Sequence, residues 1–403
     1  MRNRWLIALA AIGLHISIGS VYAWSVLTRP IMVDTGFTLS QTTWTFSLAI
    51  LMLGLSAGFL GSFAEKIGPK KSGLLAMLFW VAGLFGTAYA LSIHSLTLLY
   101  LFYGIIGGIG LGIGYITPVS TLVKYFPNRP GFATGLAIMG FGFAALIAGP
   151  LMQYLVAHVG LVNNFIILGI TYLIVMSASS LYLKAPTPKE PTRSNQDKST
   201  MYVHNHGMLA NDAMKTWQFS ALWWVFFVNI TCGIGLLSLA SPMAQETISM
   251  TPAAAASLVG IIGIFNGGGR IAWSTISDFL GRAQTYILFF IMEIIAFYLL
   301  SQTNSALTFQ ILILLIITCY GGGFSCMPAY LADLYGIRQL STIHGRILTA
   351  WGLAGIAGPM IVSYFHEAGY GYSIALVCFA GLFVLNTIIA IILKMYGKRN
   401  LHT

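Results

Sequence analysis

Apolar residues run along this chain in long blocks separated by short polar breaks. A helix that crosses a bilayer needs about 20 mostly apolar residues. Blocks of that length are predicted near 5–28, 43–64, 73–92, 95–120, 132–155, 162–183, 218–241, 253–275, 284–301, 306–331, 346–365 and 371–394. No block alternates polar and apolar residues over about ten positions, so nothing supports a transmembrane β-barrel. The first block is too long for the apolar part of a signal peptide and is followed at once by further blocks, so it is read as the first membrane helix.

Composition agrees. Of 403 residues, 57% are hydrophobic and 7% charged, with a mean hydropathy of +0.82. A soluble domain carries roughly 25% charged residues, so the solvent for this much apolar surface is lipid. The net charge of +10 comes from 20 Lys and Arg against 10 Asp and Glu. With the N-terminus in the cytoplasm, 18 of these cations fall on the cytoplasmic side: Arg2, Arg4, Lys66, Lys70, Lys71, Lys124, Arg129, Lys184, Lys189, Arg193, Lys198, Lys215, Arg282, Arg338, Arg346, Lys394, Lys398 and Arg399. Only Arg29 falls outside, and Arg270 lies within a block. Positive charge concentrates in cytoplasmic loops. The split therefore predicts both termini in the cytoplasm of a bacterial inner membrane, and it accounts for the basic charge without a nucleic-acid partner.

One long polar stretch, 184–217, is rich in Pro, Lys, Ser, Asn and His and reads as a linker. Its His204 and His206 are read as linker residues, not a metal tract. The chain then divides into a six-helix bundle at 1–183, a cytoplasmic linker at 184–217 and a second six-helix bundle at 218–403. The halves repeat. Ala145–Pro150 (ALIAGP) returns as Ala354–Pro359 (AGIAGP), Pro118 as Pro328 and Gly135 as Gly345, at offsets of 209 or 210. Parallel repeats of this kind place a substrate site near the midplane between halves that rock against each other. The expected fold is an all-α membrane protein of twelve helices in two pseudo-symmetric bundles.

Here the residues resemble the major facilitator superfamily. Gly61-Ser-Phe-Ala-Glu65-Lys66-Ile-Gly68-Pro-Lys70-Lys71 matches its acidic–basic–glycine–basic loop motif. The second copy, with Asp278, Gly281 and Arg282, has Phe279 and Ala283 where basic residues are usual. The resemblance implies a gating role for Gly61, Glu65, Lys66, Gly68, Asp278 and Arg282. More narrowly, Gly19–Ser25, Phe126–Gly131 leading into Gly135, Gly140 and Gly142, and Asn266–Arg270 resemble the oxalate/formate antiporter family, which includes bacterial monocarboxylate carriers. That resemblance implies that Arg270 binds a substrate carboxylate. Members that handle oxalate are expected to carry a Lys in helix 11, but 347–365 contains no Lys or Arg.

Arg270 stands eight residues before Asp278, or about 12 Å from the cytoplasmic end at helical rise. A cation at that depth costs at least ~2.5 kcal/mol. A carboxylate gripped by both arms of the guanidinium offsets the cost; the competing reading is snorkelling or a protein partner. Asn266, one turn earlier on the same face, is positioned to orient Arg270 or to bind substrate. Tyr115 offers a hydroxyl from the facing half, Trp351 an apolar wall, and Tyr22 and Trp24 further cavity aromatics or interfacial anchors. Glu293 and His15 are the candidates for proton coupling, with core packing as the alternative and helix 9 expected at the periphery. Glycines 107–114 follow no strand, which excludes a nucleotide loop. Asn229-Ile-Thr231 spells a glycosylation sequon inside helix 7 and is set aside. Four cysteines sit in apolar blocks with no metal or disulfide spacing, and no cofactor is expected.

The expected function is secondary active transport, not enzymatic catalysis. A small carboxylate such as lactate, pyruvate or formate moves by alternating access, as a proton symport or an anion exchange. The alternatives are oxalate:formate antiport and an uncharged cargo such as a sugar or drug. The expected partners are the small organic anion, the lipid bilayer and, in symport, a proton, with the monomer as the working unit.

Overall fold

The computed structural model describes residues 3–125, 130–184, 207–336 and 339–396; within these, only the backbone is described at 62, 65, 120, 123–124, 130–134 and 341. Among the described residues, twelve helices are long and apolar enough to cross a membrane: α1 (Arg4–Ala23), α2 (Leu39–Gly61), α3 (Lys66–Ser92), α4 (Leu96–Val119), α5 (Gly135–Val159), α6 (Leu161–Tyr182), α7 (Trp217–Thr247), α8 (Pro252–Leu280), α9 (Arg282–Gln302), α10 (Ala306–Tyr335), α11 (Thr342–Tyr370) and α12 (Ser373–Tyr396). Each predicted block is thus a helix, with ends displaced by a few residues. The largest extensions are α11, longer by four residues at its start and five at its end, and α3, which starts seven residues early at Lys66; α7 runs on through Gln245 and Glu246 to a polar end at the surface.

Local chemistry sets several ends. Thr38 and Gln41 form a reciprocal capping box at the start of α2, with bonds of 2.9 and 3.2 Å. Thr216 caps α7, Thr251 caps α8 just before Pro252, and Ser305 caps α10. Each such cap contributes about 1 kcal/mol. The expected loop 61–71 is nearly continuous helix. Only Gly68 leaves helical geometry, at φ +80°, and Pro69 restarts the helix behind it. The repeated prolines all lie inside helices: Pro118 in α4, Pro150 in α5, Pro328 in α10 and Pro359 in α11. Each removes a backbone hydrogen bond and loosens its helix locally.

An even number of crossings puts both termini on one face. The first six helices meet the last six along two pairs, α2 with α11 and α5 with α8. Both pairs approach through glycine. A Cβ on Gly54 of α2 would lie 2.5 Å from the Gly352 nitrogen, and one on Gly142 of α5 would lie 2.9 Å from the Gly267 Cα. Gly142 and Gly352 are related by the 210-residue repeat, so both seams use the same device. Small residues let membrane helices close on one another where lipid supplies no hydrophobic drive.

On the face opposite the termini, polar groups tie the two sets together. Arg29 donates to Gln245 at 3.1 Å and pairs with Glu246 at 3.3 Å. Glu246 also meets His366 at 2.6 Å and Tyr372 at 3.3 Å, and Glu367 accepts from the Ser40 backbone at 2.7 Å. Burial first, and then the Glu246 charge, pushes the Tyr372 phenol well up, so Tyr372 stays a donor.

Candidate functional site

Arg270 lies in α8 with no exposed surface. The packing that puts it there comes from neighbouring glycines. Gly267 and Gly269 allow α5 and the Thr318 backbone of α10 to close on α8 on either side of it. Arg270 Nε donates to Asn266 Oδ1 at 3.1 Å, the i, i+4 contact expected from the spacing. Phe324 of α10 lies under the guanidinium, 4.9 Å from ring centroid to Cζ. Among the described residues, Nη1 and Nη2 are buried with no hydrogen-bond partner. Two adjacent terminal nitrogens are thus held in one plane, fixed by Nε, and free to donate. A carboxylate has the matching fork. Of the alternatives weighed for this cation, snorkelling does not apply, because the side chain is fully buried; a protein partner applies in part, through Asn266 at Nε and the Phe324 ring, and among the described residues none of its hydrogen bonds or ion pairs is to an acidic side chain.

Aromatic rings close around it. Tyr22 of α1 and Tyr320 of α10 meet hydroxyl to hydroxyl at 2.7 Å across the seam. Phe141 of α5 packs edge-on to Tyr22 at 4.9 Å and to Trp351 of α11 at 5.8 Å. Trp351 also meets Tyr115 of α4 at 5.1 Å and Phe324 at 4.8 Å. Tyr22 and Tyr115 turn their hydroxyls toward the guanidinium without reaching hydrogen-bonding geometry. All six rings are 2% exposed or less. The cage therefore takes three rings from each set of helices and encloses one cation.

The other sequence candidates fall elsewhere. Trp24 packs against Tyr103 at 4.4 Å with the rings tilted by 42°, inside the first six helices, and among the described residues shares no ring contact with the cage. His15 sits one layer behind it. Its Nδ1 meets the Ala137 carbonyl, its Nε2 faces the Tyr115 carbonyl at 3.0 Å, and its ring stacks on Tyr115 at 5.4 Å. It thereby pins α1 to α4 and α5. Glu293 is fully buried and accepts from Asn229 of α7 at 3.3 Å. Although α9 is a lipid-facing helix on one side, Glu293 lies on its inner face.

At the face with the termini, Arg282 pairs with Asp278 at 2.5 Å and with Asp333 of α10 at 3.4 Å, and it donates to Ser277. Asp333 joins the second motif copy as a partner the sequence did not indicate. Of the first copy, Gly61 is half-buried against Ile116, Lys66 is exposed, Gly68 makes the bend and the Glu65 side chain lies outside the described residues. The Phe126–Arg129 part of the helix-5 string, together with His204 and His206, also lies outside them. Tyr320, Phe324 and Phe141 went unpredicted. The available signal was the repeat, since Phe141 and Trp351 are 210 residues apart.

Comparisons with known proteins bear on the family and the fold. The family model of the Major Facilitator Superfamily matches residues 7–285 and 222–401. The chain is similar to the uncharacterized MFS-type transporter YhjX of Escherichia coli, 27% identical over 88% of this chain and 86% of that one. It is similar to the oxalate:formate antiporter of Oxalobacter formigenes at 25% over 88% and 83%, and to monocarboxylate transporter 10 of Mus musculus at 22% over 98% and 79%. Among solved structures, a bacterial homolog of the human lysosomal transporter Spinster, inward-facing and unoccupied, superposes with a TM-score of 0.70 at 14% identity, covering 98% of this chain and 96% of that one; it supports the fold alone. With twelve membrane helices paired across two glycine seams and a family model spanning nearly its whole length, this chain belongs to the major facilitator superfamily and is a multi-pass membrane transporter, not an enzyme.

Proposed function

We propose that the protein carries small monocarboxylates, of the size of formate, lactate or pyruvate, by alternating access. The observation that supports this most directly is the guanidinium of Arg270, enclosed between the two sets of helices with both terminal nitrogens unpartnered. A carboxylate accepts from both and neutralises the charge. Asn266 holds the fork in place through Nε, and Tyr22 and Tyr115 are placed to add hydroxyl donors. Relatives named for oxalate:formate exchange and monocarboxylate transport favour the same cargo class. The cage offers one cation. A second carboxylate would be desolvated without a partner, at a cost of several kcal/mol, so monocarboxylates are preferred over oxalate.

In this reading the halves, 1–183 and 218–403, rock about the two glycine seams, and 184–217 links them on the cytoplasmic side. The termini face the cytoplasm of an inner membrane, which places the Glu246 cluster outside and the Arg282–Asp278–Asp333 cluster inside. The working unit is a monomer, since both halves of the cage come from one chain.

The test is labelled formate, lactate and oxalate exchange in proteoliposomes with wild-type protein and Arg270→Gln. Truncating one partner of a buried charge pair costs about 2–5 kcal/mol, so exchange falls at least about thirtyfold. A folded Arg270→Gln protein that exchanges carboxylates at the wild-type rate removes the proposal, and uptake of an uncharged sugar or drug by both proteins would replace it.

A further inference from the structure

Glu293 and Asn229 form a pair whose hydrogen bonding is half complete. Asn229 Nδ2 donates to Glu293 Oε2 at 3.3 Å. The two atoms left over, Glu293 Oε1 and Asn229 Oδ1, are both buried and unpartnered. While the carboxyl carries no proton, both are acceptors, and neither can satisfy the other. A proton on Oε1 turns that oxygen into a donor, and the amide and carboxyl then complement each other through two bonds.

Among the described residues, no cation performs that task. Helices α8, α10 and α12 pack on α9, and α7 reaches it through Asn229. The titratable groups facing Glu293 are the thiols of Cys232 on α7 and Cys319 on α10. The charged side chains described on these helices are Glu246 on α7, Arg270 and Asp278 on α8, Asp333 on α10 and Lys394 on α12. Arg282, about three turns along α9, is held by Asp278 and Asp333. None of these forms an ion pair with Glu293. A full negative charge buried in this way is costly.

The pair also touches the carboxylate site through one short stretch of backbone. A Cβ on Gly321 of α10 would lie 2.4 Å from the Asn266 carbonyl oxygen and 2.9 Å from Asn266 Oδ1, the atom that holds Arg270. A Cβ on Gly323 would lie 2.2 Å from Asn229 Oδ1. The two asparagines therefore rest on Gly321 and Gly323, two glycines of one three-residue run that face opposite sides of α10. Tyr320, the seam tyrosine, immediately precedes them.

We propose that Glu293 is a proton-binding site, and that the Gly321–Gly323 segment of α10 couples its occupancy to the Arg270 site. This rests on the carboxylate-carrier reading. One proton and one monocarboxylate move in the same direction, and no net charge crosses. A change in the Glu293–Asn229 bonding shifts Asn229 Oδ1 against Gly323. Gly321 then shifts against Asn266, and with it the Nε contact that aims Arg270.

The test uses the full-length protein in phosphatidylethanolamine–phosphatidylglycerol vesicles, with lactate as the probe. Infrared difference spectra on adding lactate at constant pH are expected to contain a protonated-carboxyl band that is absent from Glu293→Gln. An inward gradient of one pH unit sustains about tenfold accumulation per co-transported proton; wild type is expected to reach it, Glu293→Gln to lose it and Glu293→Asp to recover part. Wild type that exchanges lactate without any carboxyl band responding overturns this inference and leaves the carrier reading standing, as does a Glu293→Gln protein that accumulates like wild type. Wild type that exchanges neither lactate, formate nor pyruvate removes the reading beneath it. Should Glu293→Gln fail to fold, the wild-type band alone decides, and insensitivity to lactate is the overturning result.

Discussion

Replacing Glu246 by Gln should open the face opposite the termini. Glu246 is the hub of the polar cluster there, accepting from Arg29, His366 and Tyr372 at 3.3, 2.6 and 3.3 Å. Arg29 follows α1, whereas the other three residues belong to the last six helices, so the Arg29 contact bridges the seam. The groups are part-exposed, with side chains at 45% for Arg29, 32% for Glu246 and 27% for His366. Solvent screening limits each contact to about 0.2–1 kcal/mol. Losing the charge removes the ion pair and weakens the rest, about 1–2 kcal/mol together, or roughly a five- to thirtyfold shift toward the state open on this side. The reporter is Ser363→Cys in a Cys378→Ser background. Ser363 is buried where it meets Thr43 across the α2–α11 seam at 3.2 Å, and the other native cysteines are buried. A membrane-impermeant maleimide should modify it several-fold faster in Glu246→Gln and in Arg29→Gln. Raising ionic strength should speed labelling of the parent more than of either variant. Equal labelling rates in all three proteins would refute the latch.

Other changes test other parts of the fold. Gly54→Ala drives a Cβ into the Gly352 backbone at 2.5 Å; exchange should fall by about tenfold or more with little loss of folded protein, since the clash exists only when the seam is closed. Trp351→Ala removes the ring between Tyr115, Phe141 and Phe324, and competition assays should find branched or aromatic monocarboxylates newly accepted while formate affinity drops. Phe324→Leu deletes the ring under Arg270, and the apparent lactate KM should rise by roughly two- to thirtyfold, because such a cation–π contact is worth about 0.5–2 kcal/mol. Asp333→Asn should leave Arg282 paired only with Asp278 and bias the carrier toward opening on the face with the termini, read by thiol labelling from that side.

Legibility followed how unusual each residue is among its neighbours. The twelve helices were readable because lipid demands about 20 apolar residues in a row, and Arg270 because a cation inside such a run has no cheap explanation. Asn266 followed from its i, i+4 spacing. The cage did not follow. With 25 Phe, 19 Tyr and 9 Trp in the chain, an aromatic residue inside an apolar block looks the same whether it faces lipid, core or substrate. Tyr320 is fully buried in the cage, while Tyr298 on the lipid side is 56% exposed, and no local pattern separates the two. Trp24 shows the same difficulty: its neighbours in sequence resemble those of Tyr22, yet two positions further along, about half a helical turn, it meets Tyr103. Asn229 was read only as an unusable sequon, because contact with Glu293 joins residues 64 apart.

The distribution of chemistry between the halves also has a consequence for how the carrier works. The first six helices bring Tyr22, Tyr115 and Phe141 to the cage, with no charged side chain among the three; the last six bring Arg270 with three further rings and hold Glu293 apart from the cage, against Asn229. In the proposed cycle, two ionisable groups on one side of the seam would keep a fixed separation whichever face is open, so the coupling proposed between them would not be rebuilt in each half-cycle. What changes is the lid, and rings desolvate the guanidinium only when the glycine seams close over it. An unneutralised guanidinium makes that closure costly, because its charge is then buried without a partner. A bound carboxylate lowers the cost. Cargo thereby favours the enclosed state between the two open ones, which is the condition for carriage instead of leak. The order follows from electrostatics: the anion binds before the rings close, and Arg270→Gln should relax the requirement, closing without cargo as readily as with it.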